Sequence, residues 1–143
     1  MIETLNLTFS DIHPFVRYVQ RLSVSPDNYP VFTRPYDCRL FFVHVGSGRL
    51  YIGNEIWELK HGDVVLWQCG EHYHMDSKTT DGMYFLGTNF DYTQAYRYKD
   101  YPIPPDRSDR FKESEAMKRV HFVDNAEFDH PMLVHNMHNR LKI

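Results

Sequence analysis

The stretch Arg39-Leu-Phe-Phe-Val-His-Val45 runs into Gly46-Ser-Gly48 and Arg49-Leu-Tyr-Ile52, and two turns later into Val64-Val-Leu-Trp67; together these segments decide the fold class. Residues 39–45 are dominated by β-branched and aromatic side chains, which suit a pleated, half-buried surface. Arg49 to Ile52 and Glu55 to Leu59 alternate polar and apolar, the period of a strand with one buried face. Gly53-Asn54 between them is a tight-turn dipeptide. Lys60-His61-Gly62-Asp63 makes the next corner, and the apolar run Val64–Trp67 predicts a strand buried on both faces. Gln68 to Glu71 break the pattern, His72 to Met75 resume it, and Met83 to Phe90 supply one more strand. Short strands separated by glycine turns at this density predict an antiparallel sandwich or barrel.

Outward from that centre the signals weaken. Residues 12–33 read as one or two strands interrupted by Pro14, Pro26 and Pro30, which places them at an edge or in an arm, because proline removes a ladder donor. Residues 91–116, with Pro102, Pro104 and Pro105 among many charges, read as a long surface loop with one helical turn. Residues 119–123 (RVHFV) predict a last short strand. From Asp129 onward an N-cap-like Asp, Pro131 and the stripe Leu133, Val134, Met137 and Leu141 predict an amphipathic α-helix.

The chain has 143 residues, enough for one domain with one core. With 42% hydrophobic and 15% aromatic residues, global disorder is not expected. The formal net charge is -3 and no basic tract runs along the chain, so these residues are not expected to grip nucleic-acid phosphates themselves. Two cysteines, Cys38 and Cys69, are too few for a secreted disulfide framework, although a single bridge between them stays open. No apolar run approaches a membrane span. A cytoplasmic chain without membrane contact is the expectation.

Arg34-Pro35, Gly46-x-Gly48, Gly62-Asp63-Val64-Val65-Leu66-Trp67 and Gly70-Glu71 with histidines just beyond resemble the N-terminal cupin domain of bacterial AraC-type transcriptional regulators, over about residues 30–92. The resemblance implies a mainly β fold: a small antiparallel cupin (double-stranded β-helix, jelly-roll-like) barrel with a C-terminal α-helix. Residues 1–125 would form the sensing barrel with its N-terminal arm, and 126–143 the start of a dimerisation or linker helix. It further implies a homodimer through Leu133, Val134, Met137 and Leu141. DNA would be bound only through a helix-turn-helix domain expected to be absent from this chain.

Metal-dependent cupins hold an ion with two His and a Glu from a first motif and a His from a second. On that pattern these positions fall at Arg34, Tyr36, Phe41 and Tyr73, none of which is an ordinary zinc, iron or manganese ligand. The expectation is therefore no metal, no cofactor and no catalytic residue. Arg34 among aromatic rings would instead suit a small-molecule effector, a sugar or another small polar or anionic metabolite. Two further ligand positions of sugar-binding relatives fall at Met75 and Phe85, whose apolar side chains leave the ligand class open. The alternative is a stand-alone cupin enzyme, an isomerase or oxygenase with an atypical metal site. His72 and His74 could join a histidine-only site, and Cys69 could be a nucleophile, but ordinary rim histidines and a turn cysteine account for both more simply. Gly46-Ser-Gly-Arg49 lacks the Lys-Ser/Thr ending of a phosphate loop and reads as a hairpin corner.

Overall fold

The computed structural model describes residues 3–26, 31–77, 82–94, 105–113 and 118–135. Strands in this part are numbered β1 to β12 in chain order. One five-stranded sheet has the order β12 (Met132–Val134), β7 (Val64–Trp67), β4 (Cys38–Val45), β9 (Met83–Asp91), β2 (Phe15–Val24). The other has the order β10 (Asp106–Arg107), β3 (Thr33–Arg34), β8 (Tyr73–Ser77), β5 (Ser47–Ile52), β6 (Glu55–Lys60). All pairings within these two sheets are antiparallel. A separate parallel pair joins β1 (Glu3–Leu7) to β11 (Lys118–Phe122).

The two larger sheets share one core. Leu50 and Ile52 on β5, Leu59 on β6 and Met75 on β8 meet Phe41, Val43, Val65, Trp67, Met83 and Phe85 from the opposite sheet. Phe41 packs edge-on against Trp67 at 5.0 Å between ring centroids and lies 4.8 Å from Phe85. Each such side chain contributes about 1.5–3 kcal/mol on full burial, and the period-2 pattern read from the sequence is what delivers them to one face. On β5 the residues alternate strictly, with Gly48, Leu50 and Ile52 inside.

Gly46, Gly62 and Gly70 take positive φ at the corners, as turns of this kind require. Gly48 is needed for a different reason. A Cβ there would lie 2.2 Å from the backbone carbonyl of Asp76, so β5 and β8 approach closely only because the side chain is missing.

Several elements differ from the sequence reading. Val65 and Trp67 are fully buried, but Val64 and Leu66 on the other face of β7 are only half-buried. β2 does follow the expectation for its proline-bounded segment: it is a ten-residue strand at the sheet edge between Pro14 and Pro26, with its register shifted between Val16 and Tyr18. Of residues 91–116, expected as a surface loop with a helical turn, Asp106–Arg107 pairs with β3, and 95–104 and 114–116 lie outside the described residues.

The largest correction is at the C-terminal end. Ala126–Asp129 is one 3-10 turn capped by Asn125, and Met132–Val134 is strand β12 on the edge of β7 rather than the opening of an amphipathic helix. Asp129 does not cap a helix: its carboxylate accepts from the Phe122 backbone N–H at 2.7 Å and pairs with His121. Three successive apolar residues fit a strand as well as a helix face, and β7 offers an edge of unpaired backbone groups that a strand satisfies. Leu133 packs against the chain's own core; Met137 and Leu141 lie outside the described residues.

A second, smaller core sits on the outer face of the β4–β9 sheet, where Cys38, Phe90, Tyr92, Val120 and Phe122 come together. Gln68 ties β11 to it. Its buried amide donates to the Val120 carbonyl at 2.8 Å and accepts from the Val120 N–H at 2.7 Å, replacing a strand neighbour. No helix among the described residues is long and apolar enough to cross a membrane.

Gly48→Ala should lower stability by about 3 kcal/mol through overpacking, read as a fall in the urea midpoint. Gly53→Ala, whose Cβ would meet nothing within 4 Å, should cost only the left-handed backbone penalty of about 1–2 kcal/mol. Equal losses at the two positions would refute the close-approach account.

Candidate functional site

Between the two sheets lies a cavity of about 280 Å³. Its apolar walls are Leu22 and Val24 from β2, Phe41 from β4, Met75 from β8 and Phe85 from β9, with Val31 and Pro105 completing them. Its polar groups are Gln20, Thr33, Arg39, Tyr73 and His74. Strand pleating explains the set: Gln20, Leu22 and Val24 alternate along β2, and Arg39 shares the inner face of β4 with Phe41 and Val43.

Of the residues singled out from the sequence, Phe41, Tyr73, Met75 and Phe85 line this cavity; Arg34 and Tyr36 do not. Arg34 donates from Nη1 to the Gly70 carbonyl at 2.6 Å, bracing the corner after β7. The Tyr36 hydroxyl donates to Asp106 at 2.6 Å, and its ring stacks on Phe111 at 4.8 Å. Both have been drawn into holding β10 and its flanks.

The cation on the cavity wall is Arg39, which the sequence reading missed. A charged residue two positions before an inward Phe was the available signal, since residues two apart on a strand share a face. Arg39 is 3% exposed and pairs through Nε with Asp37 Oδ1 at 2.9 Å. A second buried pair, Arg17–Asp91, lies close by, with Nη2 to Oδ2 at 2.6 Å and Nε to Oδ2 at 2.8 Å. Asn89 and Trp67 sit opposite Arg39 on the neighbouring strands. Neither Asn89 Oδ1 nor Trp67 Nε1 has a hydrogen-bond partner among the described residues.

Burial pushes the Asp37 carboxyl up to about 6, against the opposing pull of Arg39. Burial likewise raises Asp91, with Arg17 pulling the other way. The thiols are held protonated: burial drives Cys38 well above its usual range and Cys69 up to about 12. Both are free, and Cys69 donates to the Lys118 carbonyl at 3.4 Å. A thiol so buried is a poor nucleophile, which removes the reading of Cys69 as a reactive group.

His72 and His74 both lie against one ring. Phe32 stacks on His72 at 4.3 Å and tilts against His74 at 5.5 Å, while His72 Nδ1 shares a hydrogen bond with Ser108. Burial, then the nearby Arg34 charge, lowers the His72 pKa. Among the described residues no three His, Cys, Asp or Glu side chains come together to hold a metal ion. The positions where a metal-dependent cupin would carry ligands are occupied by the Arg34 brace, the Tyr36–Asp106 bond, the Phe41 core ring and Tyr73, 4.8 Å from the Trp67 ring. That set does not fit an ordinary metal centre.

The chain has a cupin fold. Among solved structures it is similar to procruciferin, an 11S globulin from Brassica napus, with a TM-score of 0.53 and 12% identity over 62% of this chain and 25% of the other. Weaker likenesses, below the level on which the fold statement rests, are the 11S allergen of Cocos nucifera (TM-score 0.49, 14% identity, covering 61% and 28% of the two chains) and a variant of oxalate decarboxylase from Bacillus subtilis (0.46, 15%, 71% and 31%). The chain thus spans about a quarter to a third of the length of these proteins. No family model matches the sequence, and no curated protein does. An architecture of this kind selects no role by itself, so the function has to be argued from the site.

A carboxyl ¹³C titration should show Asp37 ionising at about 6. Because the folded state keeps this proton to higher pH than the unfolded chain, the contribution of Asp37 to stability falls as pH rises from its ordinary value of 3.8 to about 6. Asp37→Ala should cost about 3 kcal/mol at pH 7 by breaking its buried pair with Arg39. An unchanged urea midpoint would refute the contribution of that pair.

Proposed function

We propose that this chain is a small-molecule-sensing cupin domain of the AraC regulator type, acting by binding an effector rather than by catalysis. The observation that carries this reading is the cavity of about 280 Å³ that the described residues leave between the sheets beside a buried guanidinium. A cavity with mostly apolar walls and a few convergent polar groups is the usual form of a small-ligand site. The motif resemblance at Arg34-Pro35 and Gly62–Trp67 supports the regulator type, and the poor fit of the ligand positions to a metal supports binding over metal-assisted turnover. The effector belongs to the small polar or anionic metabolites.

In this reading effector occupancy in a cytoplasmic homodimer is coupled to DNA contact made by a helix-turn-helix domain. The coupling requires the effector to bind one arrangement of the chain better than another. Val31, Thr33 and Pro105 are the natural place for that difference, because they belong to segments outside the five-stranded sheet that carries Arg39.

A thermal-shift screen of sugars and small acids should find a ligand that raises the unfolding temperature with saturation, worth about 2.7 kcal/mol at one hundred times its Kd. Leu22→Trp, which fills the cavity from β2, should abolish the shift. Arg34→Ala should keep it, since Arg34 braces Gly70 outside the cavity. Stoichiometric iron, manganese, zinc or nickel in the purified protein, removable with loss of a catalytic activity, would sink the sensing reading in favour of the enzyme.

A further inference from the structure

We infer, on the sensing reading above, that β3 and β10 form a strap through which ligand enters and leaves the cavity. The strap swings away from β8 as one unit, hinged at Arg34-Pro35 and latched by His72. It is then the part whose arrangement differs between the two states that sensing requires.

The strap, Val31 to Arg34 with Pro105 to Ser108, is thinly built into its sheet. β3 meets β8 through the pair Thr33–Tyr73, whereas β5 meets β8 all the way from Gly48–Ser77 to Ile52–Tyr73. On its other side β3 carries the edge strand β10. There Asp106 faces Arg34, Arg107 faces Thr33, and the Ser108 N–H donates to the Phe32 carbonyl at 3.0 Å. Local opening costs least where few backbone hydrogen bonds and buried contacts must be broken. No residue of the two described apolar cores belongs to the strap, so its release leaves them packed. Val31, Thr33 and Pro105 are its share of the cavity wall, so the same release opens the cavity on that side.

The two ends of the strap are held differently. At the Arg34–Asp106 end, Arg34 Nη1 donates to the Gly70 carbonyl at 2.6 Å and the Gly70 N–H donates to the Pro35 carbonyl at 2.8 Å. Tyr36, just beyond, donates to Asp106 and stacks on Phe111. These bonds fasten that end around a proline, whose ring fixes one torsion and leaves the swing to its neighbours.

At the Phe32–Ser108 end the closest contacts are made by one side chain. The His72 ring stacks on Phe32 at 4.3 Å, with the planes 6° apart, and Nδ1 shares a 2.6 Å hydrogen bond with the Ser108 hydroxyl. His74 and Tyr51 give Phe32 looser ring contacts, at 5.5 and 6.5 Å. Phe32 leads into β3 and Ser108 leads out of β10, so His72 grips both pieces of the strap at once. His72 is only half-buried. Water replaces a hydrogen bond at such a rim at small net cost, so the latch can release while the sheets stay folded.

Two measurements on the ligand-free chain test this. In native-state hydrogen exchange, the Ser108 amide should exchange about tenfold faster, relative to its intrinsic rate, than the amides shared by β5 and β8. Its opening should also be insensitive to low urea, because it exposes little surface. For access, Leu22→Cys places a thiol on the cavity wall while Cys38 and Cys69 are buried, and its alkylation by iodoacetamide is followed by mass. Adding His72→Ala should speed that alkylation about tenfold by removing the stack and the hydrogen bond together. Ser108→Ala and Phe32→Ala should each speed it by less. If Ser108 exchanges with the rate and urea dependence of β5, the strap opens only with the whole domain and the inference is overturned. That measurement needs no variant, so it decides even if a variant fails to fold. Alkylation unchanged by His72→Ala overturns the latch and the strap as an entrance. Either failure leaves the sensing reading standing, since neither measurement involves a ligand. A strap that opens as expected, in a chain that no sugar or small acid stabilises, supports the motion and overturns the sensing reading.

Discussion

Strand β4 is paired on both sides, to β7 through Arg39–Trp67, Leu40–Leu66, Phe41–Val65 and Phe42–Val64, and to β9 along nearly its whole length. That double pairing fixes its pleat, and the pleat fixes everything the interior contains. Phe41 and Val43 must point inward with Trp67, Val65 and Phe85, and Arg39 must point inward with them because it is two residues away. A slip of one residue would exchange the core for Leu40, Phe42 and His44 and turn the guanidinium out to solvent. The apolar core and the cavity's charge are therefore consequences of one register.

Keeping that register means burying charge. Arg39, Asp37 and Arg17 are buried, and Asp91, the partner of Arg17, is partly so. A buried ion pair is often no better for stability than apolar side chains of the same volume. The raised carboxyl of Asp37 records the same tension, since burial outweighs the attraction of Arg39.

The outer layer works by different means. β11 is held to the large sheet by the Gln68 side chain, by Arg119 reaching the Cys69 carbonyl at 2.7 Å and Glu71 at 2.8 Å, and by a cluster of edge-on rings. Phe122 packs near Phe9, Tyr92 and Phe128 at 5.0–6.0 Å. Side chains replace a strand neighbour here. This explains why Cys38 and Cys69, on the seam between sheet and outer layer, are buried thiols rather than surface ones.

The strands from Arg39 to Phe90 were legible in the sequence because alternation and glycine corners are local signals, each read within a few residues. Four of the six positions named for a ligand, Phe41, Tyr73, Met75 and Phe85, line the cavity for the same reason: inward parity follows from spacing along a strand. Arg34 and Tyr36 could not be placed that way. Their partners, the Gly70 carbonyl and Asp106, lie 36 and 70 residues away in sequence. The stretch from Asp129 to Val134 read as helix because apolar residues at short spacing serve either element, and the open edge of β7 that makes it a strand is a tertiary fact. The sequence by itself determined where the chain turns and which residues share a face. Only the tertiary structure decided which arginine reaches the interior and which edge captures β12, because both depend on backbone groups and charges brought together from distant parts of the chain.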